Sequence, residues 1–422
     1  MKIAFAASGL AASFLLLGTA HAQQVHWARS WSASPQGPTP ALGSFAATPR
    51  FHDQTIRQIV RLSGGGVELR VRFTNEFGSG RVEIRSAHVA VAGEGGAIQP
   101  GSDHVLTFGG EAAATMQPGT PLLSDPVKVS VPALSRLAIS IYLPGTVDTC
   151  TCHRTAMQTA YVVTGDQTAA ATVPGAEALQ TRVLLSAVEV ASHKPAATIV
   201  ILGDSITDGV GSTPDDNRRW PDLLAERLVR SHQAVVNVSN EGISGNRIVS
   251  DGQGESALAR FDRDVLATPG VAYVIVFEGI NDIGAAYSPP IQGPMAEYFK
   301  RQPGPPVSAK DMIAAYRQLI GRAHAQGVKI LGATIAPYEG AAYASAEGEA
   351  QRQLVNAWIR TSSAFDAVLD FDAVLRDPAH PARIRDGLHA GDHLHGSDAG
   401  YKAIADSVDL KLFTPVASRE HH

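Results

Sequence analysis

The sequence predicts an α/β fold, a doubly wound and mostly parallel sheet preceded by an N-terminal antiparallel β-sandwich. Two observations predict it. Period-2 apolar alternation broken by turn residues fills the first 190 or so residues, with little helical periodicity. Beyond about residue 195 the pattern changes to short, predominantly apolar runs alternating with amphipathic helical stretches, which is the signature of strands in a parallel sheet buried on both faces.

Taken in order, Lys2 precedes an apolar run ending at Gly18, and Ala20-His21-Ala22 follows. A positive residue, a short apolar stretch and a small-x-small site make residues 1–22 a secretory signal peptide, with cleavage expected after Ala22. The run is shorter than the ~20 apolar residues that span a bilayer. With no cysteine at the cleavage site, no lipid anchor is expected, and the format fits a secreted or periplasmic protein.

Residues 23–195 are expected to form the sandwich. Val67, Leu69, Val71 and Phe73 alternate with charged residues, and Leu137, Ile139, Ile141 and Leu143 form a second row, each turning one apolar face inward. Ser63-Gly64-Gly65-Gly66 and Asn75-Glu76-Phe77-Gly78 supply turns. The chain's two cysteines lie in Cys150-Thr151-Cys152-His153. A small local disulfide, two free thiols and a Cys-x-Cys-His metal site are the three readings, the last lacking enough clustered ligands for tetrahedral zinc. Residues 192–195 form a short connector.

Residues 196–417 carry the α/β pattern. Strands are expected at 198–202, 235–238, 273–277, 329–334 and 367–371. One helix starts near Trp220-Pro221, with proline at the first helical position. Another starts after a Ser308 cap with Asp311 three residues on, and the last follows Ser397.

The chain has 422 residues, 35 Lys+Arg against 40 Asp+Glu and a formal charge of −5. That balance lacks the basic excess of a nucleic-acid binder. Hydrophobic residues at 44% and charged ones at 18% exclude a disordered or fibrous chain.

Sheets of this kind place chemistry at the carboxyl ends of their strands. The first such end is Gly203-Asp204-Ser205-Ile206-Thr207-Asp208-Gly209. Asn240-Glu241-Gly242-Ile243-Ser244-Gly245-Asn246 follows the second strand, Glu278-Gly279-Ile280-Asn281-Asp282 the third, and Asp392-His393-Leu394-His395 precedes the last helix. Acyl transfer needs a nucleophile, a base, a group orienting that base, and donors aimed at the developing oxyanion. Ser205, His395 and Asp392 supply the first three. Gly245, whose N–H is approachable without a side chain, the Asn281 amide and the Ser205 N–H supply the donors.

These four blocks, in this order, resemble those of the SGNH/GDSL hydrolase superfamily, whose fold is flavodoxin-like. The resemblance spans about residues 197–412 and implies Ser205 as nucleophile, Asp392 and His395 as the rest of a triad, and Ser205, Gly245 and Asn281 as the oxyanion hole. Within the superfamily, Trp220-Pro221-Asp222-Leu223-Leu224 and Asp398-Ala399-Gly400-Tyr401 are similar to secreted bacterial esterases grouped with acetylxylan esterases.

Asp386-Gly387-Leu388-His389 repeats the Asp-x-x-His spacing, but His395 directly precedes the final helix, where the resemblance places the base. Asp204 and Asp208 read as turn and capping residues, Thr207 as structural, and His393 as a pocket-wall or surface residue. Residues 285–306 read equally as a lid and as a surface loop, and Tyr338 with Glu339 as candidates to shape the acyl or alcohol side. No Gly-x-Ser-x-Gly elbow, His-Glu-x-x-His, Walker loop or Gly-x-Gly-x-x-Gly occurs, so no cofactor or metal is expected.

The expected activity is hydrolysis of a short-chain ester, acetyl foremost, of a carbohydrate or similar alcohol. A broad short-chain or aryl esterase, lipase-like, is the alternative within enzymes. From another class comes a glycan- or protein-binding β module joined to a vestigial hydrolase domain. The expected partner is an ester substrate such as an acetylated polysaccharide or oligosaccharide, with no nucleic acid and no membrane insertion.

Overall fold

The computed structural model describes residues 24–41, 47–232, 236–291 and 307–413, so the expected signal peptide lies outside the described residues. The N-terminal half holds two large antiparallel sheets and two two-stranded ones, Cys152–His153 with Arg182–Val183 and Val82–Ile84 with Ala114–Met116. One large sheet runs in the order His26–Ser32, Leu185–Ser192, Glu68–Thr74, Pro121–Leu123. The other runs Glu177–Leu179, Ala160–Thr164, Gln54–Arg61, Arg136–Leu143, Ser86–Val91, His104–Val105. Their facing rows, including Leu69, Val71, Phe73, Leu137, Ile139 and Ile141, form one apolar core, as alternation requires.

Two details depart from the alternating pattern. Val67 is 36% exposed, because the strand begins only at Glu68 and Val67 still belongs to the turn. Ala138 and Ser140 are buried as fully as their apolar neighbours. The outer face of their sheet is covered by a loop that the buried Arg57 fastens, donating to the carbonyls of Gly96, Gln167, Thr168 and Ala170. Cys150 and Cys152 form a disulfide. That removes the free-thiol and metal readings of Cys-x-Cys-His, and His153 faces elsewhere.

The second half is a five-stranded parallel sheet in the order Val236–Gly242, Ala197–Gly203, Val271–Phe277, Lys329–Ala333, Ala367–Leu369. In chain order this is 2-1-3-4-5, with the reversal of direction between the first and third strands. Alternation sends Ile199 and Ile201 to one helical layer and Val200 and Leu202 to the other. Helices Ala257–Phe261, Ile280–Tyr287, Ala309–Ala325 and Ala346–Thr361 cover one face. Helices Trp220–Arg230, Phe371–Leu375 and Asp398–Ser407 cover the other. Ser308 and Asp311 form a reciprocal capping box, and Ser397 caps the last helix.

All five strands differ from the sequence expectation by one to four residues at an end, and two of these differences have a local cause or move residues of interest. The last strand stops at Leu369 because the Asp370 carboxylate accepts the Ala373 N–H and starts a helix at Phe371. The second continues to Gly242, so Asn240, Glu241 and Gly242 lie within the strand and not after it. Among the described residues no helix is long and apolar enough to cross a membrane.

The two halves meet through polar contacts. Strand His26–Ser32 lies beside Val236–Gly242, with Ser32 Oγ 2.7 Å from Ser239 Oγ and Ser34 Oγ donating to Glu241 at 2.7 Å. Arg260, fully buried, stands at the centre. Its guanidinium donates to Asn246 Oδ1, Ser34 Oγ, Asp264 Oδ2 and the carbonyls of Glu241 and Gly203. Replacing this cation by an apolar side chain, Arg260→Met, leaves the Glu278 carboxyl without its neighbouring cation and several acceptors without donors. The expected cost is about 3–5 kcal/mol, read as a lower urea midpoint at unchanged slope.

Candidate active site

The chain leaves the first parallel strand at Gly203, turns at Asp204 and enters the short helix Ser205–Asp208. Asp204 caps that helix, its carboxylate accepting the Ile206 N–H at 2.9 Å, which matches its reading as a capping residue. The turn presents Ser205, 6% exposed, at the sheet edge. His395 comes from the loop before the last helix and places Nε2 2.8 Å from Ser205 Oγ. Its Nδ1 lies 2.5 Å from Asp392 Oδ2. An ionised carboxylate only accepts, so Nδ1 carries the hydrogen and Nε2 is left as the acceptor for the serine hydroxyl. The other Asp392 oxygen accepts the N–H groups of Leu394 and His395, so the carboxylate is held by its own turn. Partial burial pushes the pKa of Asp392 up, but the hydrogen bond and charge of His395 outweigh it and hold the carboxyl well below the usual carboxylate range.

Two further segments converge on the serine. After the second strand the chain turns through Gly245 at φ 81°, a left-handed conformation that glycine adopts without strain. The preceding residue is fixed by Asp208, whose Oδ2 accepts both the Ser244 N–H at 2.8 Å and the Ser244 hydroxyl at 2.6 Å. Asn281 sits in the first turn of helix Ile280–Tyr287. Its Nδ2 donates one hydrogen to the Asn246 carbonyl at 3.0 Å, which orients the amide and leaves its second hydrogen for another acceptor. Beside it, the Asp282 carboxylate accepts the N–H groups of Ile248 and Val249 and clamps the far end of the same loop.

The repeated Asp-x-x-His spacing resolves by geometry. His389 Nδ1 accepts the N–H groups of Gly391 and His393, and its Nε2 is 3.9 Å from a fully exposed Asp386. His393 is half-buried, its ring 4.3 Å from that of His389. Tyr338 belongs to the apolar core under the helices, and Glu339 pairs with Arg383 at the surface. Of residues 285–306, Tyr287 closes a helix and 292–306 lie outside the described residues.

Sequence reasoning passed over three contributors. His153 and Thr155 reach the site from the N-terminal half, and Asp208 does more than cap: it bonds His153 Nε2 at 2.9 Å as well as Ser244. Spacing carries no signal for such partners, since 55 residues separate His153 from Asp208. Behind the nucleophile there is also a set of buried acids. Burial pushes Asp204 up to about 7, against the Ile206 N–H and the charge of His395. It pushes Asp282 up to about 6, and Glu278, with Asp204 adding repulsion, well above the usual range. Neither Glu278 oxygen has a hydrogen-bond partner, and Arg260 Nη2 approaches only to 3.5 Å.

A doubly wound α/β sheet thus brings a hydrogen-bonded serine, histidine and aspartate together at its switch-point edge. Residues 201–403 match the GDSL-like Lipase/Acylhydrolase family, and the chain carries a domain of that family, a hydrolase acting on esters. No curated protein sequence matches the chain. Similar solved structures include an acetyl xylan esterase from Geobacillus stearothermophilus, at 20% identity over 51% of this chain and 94% of that one, TM-score 0.37. A GDSL-like lipase from Bacteroides thetaiotaomicron is similar at 15% identity over 50% and 84%, TM-score 0.36. An alpha/beta hydrolase from the metagenome of Lake Arreo, Spain, is similar at 21% over 50% and 94%, TM-score 0.37.

The buried acids set a pH dependence. A carboxyl whose folded pKa lies above its unfolded value favours the folded state fully below the unfolded pKa, and that contribution is lost as pH rises through the folded pKa. For Asp204 the window runs from about 4 to about 7. Glu278→Gln removes one acid of the set and the repulsion it exerts on Asp204. The stability of Glu278→Gln relative to wild type is therefore expected to grow as pH is raised from about 5 to about 8, read from urea unfolding at several pH values. A difference independent of pH shows that folding does not raise the pKa of Glu278.

Proposed function

We propose that the protein is a secreted serine esterase that removes short acyl groups, acetyl foremost, from carbohydrate or similar polar alcohols. One observation carries the reading: the continuous hydrogen-bonded chain from Ser205 Oγ through His395 to Asp392. Ser205 attacks the ester carbonyl while His395 Nε2 takes its proton, and Asp392 stabilises the imidazolium that forms. The oxyanion is received by the N–H groups of Ser205 and Gly245 and the remaining Asn281 hydrogen. His395 returns the proton to the leaving alcohol, and water, deprotonated by the same imidazole, releases the acid from Ser205. None of these steps calls on a cofactor.

The unit arrangement follows the sequence: a signal peptide over 1–22, a β-sandwich over 23–195 and the hydrolase domain over 196–417.

The test is acetate release from acetylated xylan by the full chain, beside p-nitrophenyl esters of increasing acyl length. Ser205→Ala is expected to lose activity by about 10⁴-fold or more, and Asn281→Ala to lower kcat about 10²–10³-fold. Wild-type activity falling steeply beyond short acyl chains supports the reading. Activity on aryl esters with none on the polymer removes the carbohydrate assignment and keeps the serine mechanism, whereas full activity in Ser205→Ala returns the function to the β-sandwich.

A further inference from the structure

We infer that His153, from the N-terminal half of the chain, is a positioning residue for the oxyanion-binding loop, acting through Asp208 and Ser244. The inference rests on the esterase reading above and goes beyond it, because His153 lies outside the family domain at 201–403.

The ring of His153 is buried and both its nitrogens face acceptors. Nδ1 is 2.9 Å from the Ser34 carbonyl oxygen and Nε2 is 2.9 Å from Asp208 Oδ1. A carbonyl and a carboxylate accept only, so both nitrogens donate and the ring is an imidazolium facing a carboxylate. Burial opposes that charge and Arg182 repels it, yet Asp208 prevails and holds the imidazole above its ordinary range. The second Asp208 oxygen is the one that accepts the N–H and hydroxyl of Ser244. Thr155, two residues after His153, donates to the same Ser244 hydroxyl at 2.9 Å. Thus the residue immediately before Gly245 is held from two directions by groups that themselves depend on the N-terminal half.

The support is stiff. Strand Cys152–His153 pairs with Arg182–Val183, Cys152 exchanges both backbone hydrogen bonds with Gln36, and the Cys150–Cys152 disulfide closes the preceding turn. On the other side Gly242 packs so closely on Asp208 that a Cβ there would lie 2.4 Å from its backbone nitrogen. Asp208 therefore has little freedom except through its carboxylate. Without the imidazolium, that carboxylate is buried with no cation against it, and its cheapest relief is to rotate or bind a proton. Either change weakens its hold on Ser244 and lets the Gly245 N–H drift from the line of the oxyanion. A donor that helps only the tetrahedral state affects kcat and leaves ground-state binding alone.

The experiment uses the full chain with p-nitrophenyl acetate, normalising kcat to the number of serines titrated by a fluorophosphonate, and recording Tm for each variant. For His153→Ala, kcat per titrated serine is expected to fall about 10- to 100-fold with KM changed by no more than about twofold. His153→Gln, which can still donate to Asp208, is expected to recover part of that loss, and Thr155→Val to show a smaller loss with the same split. If kcat per titrated serine in His153→Ala equals wild type, whatever its Tm, the residue is structural only and the inference is overturned. Should His153→Ala yield no folded protein, His153→Gln and Thr155→Val decide by the same quantity, wild-type values in both overturning it. A wild type that neither hydrolyses the ester nor labels at Ser205 sinks the esterase reading and this inference with it. An active wild type beside an equally active His153→Ala sinks the inference alone.

Discussion

The guanidinium of Arg260 is the constraint on which the rest of the structure depends. One planar cation, fully buried, donates to the last residue of the nucleophile strand, to the second strand, to the loop after it and to a serine of the N-terminal half. An ammonium has neither the spread nor the number of directed donors to reach all of these. Because the cation is inside, acids must be inside with it, and Asp264 at 3.1 Å takes that role. Burial alone would raise the pKa of Asp264, but Arg263 and Arg260 together reverse the sign and hold it down to about 2. At Glu278, where Arg260 Nη2 stands 3.5 Å away, burial and the repulsion of Asp204 prevail over the cation and the acid stays raised. The polar interior is thus one network with a surplus of carboxyl groups on the side nearest the nucleophile.

That surplus bears on the site. Ser205, Gly245 and Asn281 lie on three different strand-end segments, and buried acids cap these segments or tie one to the next. Asp204 caps the serine helix, Asp208 holds Ser244, and Asp282 holds Ile248 and Val249. A carboxylate accepting backbone N–H groups is a strong anchor, but a concentration of them in a dry interior opposes ionisation. The fold accepts this electrostatic cost where precise placement of donors matters, a pattern expected at functional sites.

Much of this was legible in the sequence. The apolar runs located all five parallel strands, because a strand buried on both faces admits few polar residues, and the Ser308/Asp311 and Ser397 caps located two helix starts. The triad residues stood out because their types and order are rare in combination at strand ends. Illegible features share a physical origin in long-range contact. Nothing near Ala138 and Ser140 announces that a loop anchored by Arg57 covers them, and nothing near Cys150 and Cys152 chooses between a disulfide and free thiols. Tyr338 reads as a pocket residue from its place after a strand, yet the helices packed over it make it core. Such outcomes are decided by what arrives from elsewhere in the chain.

The same consideration bears on what counts as the working unit. The family match begins at residue 201, inside the first parallel strand, and contains Ser205, Gly245, Asn281, Asp392 and His395. It does not contain all the groups that fasten them. Ser34 bonds Arg260, Glu241 and Asp264; His153 bonds Asp208; Thr155 bonds Ser244. An interface that only tethered a substrate-binding module would be free to be small and peripheral, like transient contacts between domains. This interface is polar, buried and continuous with the hydrogen bonds behind the nucleophile. An isolated hydrolase half would expose Glu241 and Asp264 to water, lose the cation facing Asp208 and leave the loop before Gly245 with fewer restraints. The N-terminal half is therefore built into the hydrogen-bonded scaffold behind Ser205.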